Sequence, residues 1–83
     1  MHTDDFTEAV SEIEMISAMI DGPEFSEEVY DTATIKEMQE FLKARPELYN
    51  REDLWVTIFF IDHDGLHDLI DFGAQNLKEF MQL

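Results

Sequence analysis

The chain has 83 residues, of which twenty are Asp or Glu and five are Lys or Arg, for a net charge of −15 at pH 7. A surface so acidic repels DNA, RNA and anionic lipid and draws basic partners from a distance, which excludes direct nucleic-acid binding and membrane-surface binding. No cysteine is present, so disulfides, thiolate metal sites and thiol nucleophiles are excluded together, and the composition fits a reducing cytoplasm.

Length permits one small acidic domain, residues 1–83, able to bury only about 60–65% of the surface its unfolded chain exposes. With 45% hydrophobic residues, among them seven Phe, two Tyr and one Trp, it still carries enough apolar surface to fold. Neither a basic leader with an apolar core nor an apolar run of about 18 residues is found. The charge is uneven. Residues 1–31 hold ten acids and no base, residues 32–53 are nearly balanced, and residues 54–83 have Lys78 as their one base.

From Asp4 to Ile20, Phe6, Ala9, Val10, Ile13, Ile16 and Ile20 recur at helical spacing, and Thr3 or Asp4 suits the cap. The spacing predicts a first helix that Asp21-Gly22-Pro23 ends. On its other side Glu8, Glu12, Met15 and Met19 form a row. Residues 24–31 read as an acidic loop. Ile35, Met38, Phe41 and Leu42 then predict a second helix from Thr32, capped by Asp31 and stopped before Pro46. Leu54-Trp55-Val56-Thr57-Ile58-Phe59-Phe60-Ile61 has a single polar member and is rich in β-branched and aromatic residues; it predicts a strand buried on both faces, with Trp55 in the core. Asp62-His63-Asp64-Gly65 turns it into a partner strand over 66–72, Gly65 taking the left-handed position. A closing helix over 74–83 directs Leu77, Phe80 and Met81 inward. The expected fold is therefore α+β: two N-terminal helices packed on a short antiparallel β-hairpin with a C-terminal helix. The alternative is an all-α four-helix bundle, in which Asn50 caps a helix over 51–63 and another runs over 66–82.

The side chains suggest binding rather than catalysis. Ser11, Ser17 and Ser26 lack the glycines of a nucleophile elbow, three glycines are too few for a phosphate loop, and the domain is small for a substrate pocket. Asp62, His63, Asp64, His67, Asp68 and Asp71 crowd ten residues with acceptable metal ligands, yet aligning Gly65 with the sixth position of a calcium loop puts Phe60 at the first, and no third zinc ligand is specified. No metal or other cofactor is expected. What stands out is the acidic pole, because solubility alone asks for a net charge of only about 2–8 in magnitude. Asp4, Glu8, Glu12, Met15, Met19, Glu24, Glu27, Glu28 and Asp31 are the candidate partner-binding residues, the two methionines adding soft apolar contact. The expectation is a non-enzymatic acidic protein that occludes a basic, nucleic-acid-binding surface of another protein, as small phage-type inhibitors of host defence or transcription do; that comparison rests on size and charge alone. The alternatives are an immunity or antitoxin-like protein neutralising a basic toxin, and a metal-binding regulatory domain built on the Asp and His cluster.

Overall fold

A computed structural model of the chain describes residues 8–24, 26–73 and 75–83. Its frame is a four-stranded antiparallel sheet made of β1 (Val10–Asp21), β2 (Ser26–Thr32), β3 (Leu54–Asp62) and β4 (His67–Phe72), in the spatial order β2-β1-β3-β4. Helices α1 (Ile35–Lys43) and α2 (Pro46–Tyr49) link β2 to β3, and α3 (Leu77–Met81) follows β4. The molecule is thus a sheet-dominated α+β fold, and both expected architectures are corrected: it is neither two N-terminal helices on a hairpin nor a helical bundle.

The first helix is the main error, and its cause is local. Residues 10–21 form the central strand β1, paired with β2 on one side and β3 on the other. Against β3 the register jumps twice, between Val10 and Glu12 and between Ile13 and Met15, so Ser11 and Glu14 are bulge residues that oppose no residue of their own. Each bulge resets the alternation. Val10, Ile13, Ile16, Ala18 and Ile20 consequently face the core, the first three at spacings of three that imitate a helical stripe before strict alternation resumes. Pairing decides the outcome: β3 with β4 alone would be a two-stranded sheet, marginal in water and with an apolar edge left unpaired. The β-branched residues of 10–20 suit the strand that fills this gap.

The remaining elements follow local signals. Gly22-Pro23 reverses the chain between two strands rather than after a helix, and the expected loop over 24–31 is mostly β2. Asp31 is a strand residue and no cap; Thr34 caps α1, its Oγ1 accepting the Glu37 N–H at 3.2 Å. In return the Glu37 carboxylate accepts the Thr32 hydroxyl, and together they form a capping arrangement. Pro46 opens α2, where its missing N–H costs nothing. The β3–β4 hairpin is as the sequence predicts, with Gly65 at φ 82°. There Asp62 Oδ1 accepts the N–H groups of Asp64 and Leu66, each at 2.9 Å.

All three helices lie over one face of the sheet. Ile16, Ala18, Leu54, Val56, Ile58, Phe60 and Phe72 pack there against Met38 and Leu42 of α1 and Leu77 and Phe80 of α3. Gln39 Nε2 donates to the Phe80 carbonyl at 3.0 Å and ties α1 to α3. At the margin Tyr30 stacks on Phe41, with centroids 4.1 Å apart, and the Arg45 guanidinium lies 4.1 Å from the Phe41 ring. Among the described residues no element covers the opposite face, so β3 is not buried on both sides as expected. Trp55 lies on that open side at 41% exposure, outside the core it was expected to fill.

Candidate protein-interaction surface

Register places the open-face side chains in rows that cross the strands. Met19 on β1 stands beside Trp55 on β3, and Glu28 on β2 is Met19's other neighbour. Next comes a polar row of Asp31, Ser17, Thr57 and Asp71, followed by an apolar row of Met15, Phe59 and Leu69. Glu12, Ile61 and His67 form the last. Met15, Trp55 and Leu69 are 37%, 41% and 48% exposed. Singly, such residues need no explanation. Gathered on one sheet face, in two rows with the buried Ser17 and Thr57 between them, they form apolar surface of the kind that marks an interaction site.

Carboxylates border this patch, several of them fixed in place. The hydroxyl of Ser17, buried among the longer side chains, donates to Glu28 Oε1 at 3.0 Å, and that of Thr57 donates to Asp71 Oδ1 at 2.6 Å. Ser26 Oγ donates to Asp21 Oδ1 at 2.8 Å. Across the far end His67 Nδ1 lies 2.6 Å from Glu14 Oε1. Two open hollows result: one of about 320 Å³ lined by Met19, Asp21, Ser26, Trp55, Thr57 and Asp71, and one of about 430 Å³ lined by Glu14, Met15, Phe59, His67, Asp68 and Leu69. None of the five basic residues lies in a strand: Lys36 and Lys43 belong to α1, Lys78 to α3, and Arg45 and Arg51 to connections. The strands therefore carry carboxylates and no Lys or Arg, whereas the helices and connections carry both signs.

Arg51 is further occupied by its own neighbour, its Nε and Nη2 donating to the two Asp53 oxygens at 2.8 and 2.9 Å. That hydrogen bonding holds the Asp53 carboxyl below the usual carboxylate range and raises Arg51. Since a lowered carboxyl favours the folded state at pH values above its ordinary range and loses that effect on acidification, the pair supports the start of β3 at neutral pH and releases it in acid. Asp53 also fixes the sheet's corner, its carbonyl accepting the Asp21 N–H at 2.9 Å.

The expected helical row does not exist, but part of its membership survives on the sheet. Glu12, Met15, Met19, Glu28 and Asp31 share the open face, whereas Glu27 pairs with the core-facing Ile20 and points the other way. Glu8 is exposed just ahead of β1, its carbonyl 2.7 Å from His63 Nε2, and Glu24 is exposed in the β1–β2 turn. Asp4, with the expected helix start over 4–7, lies outside the described residues. Sequence reasoning missed Glu14, Ser17, Trp55, Thr57, Phe59, Leu69 and Asp71. Alternation along β3 and β4 was the available signal, since it puts Trp55, Thr57 and Phe59 on one side and His67, Leu69 and Asp71 beside them.

The Asp and His cluster of 62–71 is dispersed into separate structural roles. Asp62 closes its turn, Asp68 Oδ1 accepts the Leu69 N–H at 2.8 Å, Asp71 holds Thr57, and His67 and His63 reach toward Glu14 of β1 and Glu8 ahead of it. Among the described residues no three His, Asp or Glu side chains group as a metal ion would require. No described helix is long and apolar enough to cross a membrane. Compared with family models, with curated proteins and with solved structures, the chain matches none.

Proposed function

We propose that this chain is a non-enzymatic binding protein whose open sheet face covers a basic, nucleic-acid-binding surface of another protein, in a reducing cytoplasm. One observation carries the reading: a face that no described element covers, with exposed Met15, Trp55 and Leu69, is bordered by Glu28, Asp31, Asp71 and Glu14, while every Lys and Arg lies off the strands. Apolar rows supply contact area, and the carboxylates select a partner of opposite charge and speed the encounter. A groove that binds phosphates offers such charge, with apolar and planar groups between its lysines and arginines.

The test is capture of a partner from a cell lysate by the tagged protein, repeated with Glu28→Lys/Asp31→Lys, with Leu69→Ala, and with added DNA or RNA. Capture of one protein that is lost in both variants and displaced by nucleic acid supports the reading. Retention in saturating DNA and RNA overturns occlusion.

A further inference from the structure

Resting on that reading, we infer that the hollow beside Trp55 is a recognition site for an arginine side chain of the partner. Its walls are an indole, a thioether and two carboxylates, from Trp55, Met19, Asp21 and Asp71. The six-membered ring of Trp55 rests over Gly73, where an added Cβ would come within 2.9 Å of two ring carbons. Glycine therefore lets the indole lie down against the sheet, and the ring divides this hollow from a second one lined by Glu52, Gly73, Gln75 and Asn76. A ring braced on one side and 41% exposed is a ready surface for stacking.

Both carboxylates are positioned in advance. Ser26 donates to Asp21 Oδ1 and Thr57 to Asp71 Oδ1, which leaves each Oδ2 for an incoming donor. An arginine satisfies this set as no other side chain does: its planar guanidinium stacks on the indole by cation–π attraction while its edge N–H groups reach the carboxylates. Lysine is a compact point charge that meets the acids without using the ring face. A methylated ammonium calls for several aromatic walls, and here there is one. The chain already uses both contacts internally, Arg45 over Phe41 and Arg51 forked on Asp53.

Trp55 is the sole tryptophan, so its emission and its indole N–H resonance come from this one ring. The probes are acetyl-triarginine amide and acetyl-trilysine amide at equal ionic strength. Triarginine is expected to move the Trp55 signals saturably and to bind several-fold more tightly than trilysine. Asp71→Asn, which keeps an acceptor for Thr57, is expected to weaken triarginine about tenfold, the loss of one charge-assisted contact. Glu79→Gln on α3 should change nothing. Equal binding of the two peptides, or a Trp55 signal that stays still, overturns the arginine site. If nucleic acid still displaces a captured partner in that event, the docking face stands and only the arginine assignment falls. If displacement fails while triarginine binds as expected, the occlusion reading falls instead.

Discussion

Replacing Ala18 by Leu separates the sheet from the helix that the sequence suggests. In a helix running through residues 4–20, Ala18 lies two positions from Ile16 and on the far side from the apolar stripe; there Leu, a good helix former, is harmless or slightly favourable. In the sheet Ala18 is fully buried, between Tyr30 on β2 and Val56 on β3 and under the helical layer. Leu adds isobutyl bulk where no space exists. Overpacking of this kind costs about 1–3 kcal/mol, against which the better strand propensity of Leu recovers only a few tenths. For a domain of this size each kcal/mol lowers the melting temperature by roughly 4–8 °C, so a fall of about 10 °C is expected. With a urea slope of about 1 kcal/mol per molar, the midpoint falls by about 1–3 M. Met19→Leu, one position along on the open face, conserves volume and should stay within about 1 kcal/mol of the parent. Urea unfolding followed by far-ultraviolet circular dichroism measures both. An Ala18→Leu protein as stable as the parent, or more so, would refute the assignment of residues 10–21 to a central strand.

Adjacent phenylalanines on β3 should part company. Phe60 is 6% exposed and core-facing, and Phe60→Ala should cost about 3–5 kcal/mol; Phe59→Ala, on the open face, should cost clearly less and act instead on partner binding, with thermal melts as the readout. Gly73→Ala pushes a methyl to within 2.9 Å of the Trp55 ring, so the indole should swing outward, seen as a red-shifted emission with the circular dichroism spectrum retained; an unchanged emission would count against the packing described. Zinc or calcium should not raise the melting temperature, because the acids and imidazoles of 62–71 are spread over separate contacts and form no ligand set. A rise reversed by EDTA would show a site that this geometry lacks.

What the sequence discloses here is what short-range chemistry encodes. The turn at Asp62–Gly65, the arrest of α1 before Pro46 and the apolar run of β3 are local, and each predicts its element correctly. The strand β1 is not local in this sense. Its two bulges turn a period of two into helical spacings, and only the demand of β3 for a second neighbour decides between them. The candidate surface inherited that error. Acidity at the N-terminal third is a matter of counting, but which acids share a face depends on strand phase, so Glu12, Met15, Met19, Glu28 and Asp31 fall together while Glu27 does not. Alternation groups Trp55 with Thr57 and Phe59 but does not tell which side of the strand lies open, so a tryptophan amid seven apolar or β-branched neighbours reads as core.

An apolar sheet face that no described element covers, with edge strands on both sides, invites self-association, and the charge answers that threat. Two copies meeting face to face would bring together Glu14, Glu28, Asp31 and Asp71 of each, on chains that each carry −15. The edges are guarded in the same way, by Glu27, Glu28 and Asp31 on β2 and by Asp68 and Asp71 on β4, a common defence of edge strands. Acidity thus denies the face to a second copy of the chain while suiting it to the basic partner proposed above. The repulsion vanishes near the isoelectric point of about 4.1 and weakens when salt shortens the screening length, about 10 Å at 0.1 M, to about 3 Å at 1 M. Sedimentation velocity should accordingly find a monomer at pH 7 in low salt and growing association toward pH 4, with circular dichroism confirming that the fold persists. Leu69→Lys, inside the patch, should suppress that association because it removes apolar contact and puts an ammonium that must lose its water at the meeting face. Glu40→Lys on α1 shifts the net charge by at least as much but leaves the face untouched, and it should suppress association far less. Equal suppression by the two substitutions would show that net charge alone governs association and that the open face has no part in it.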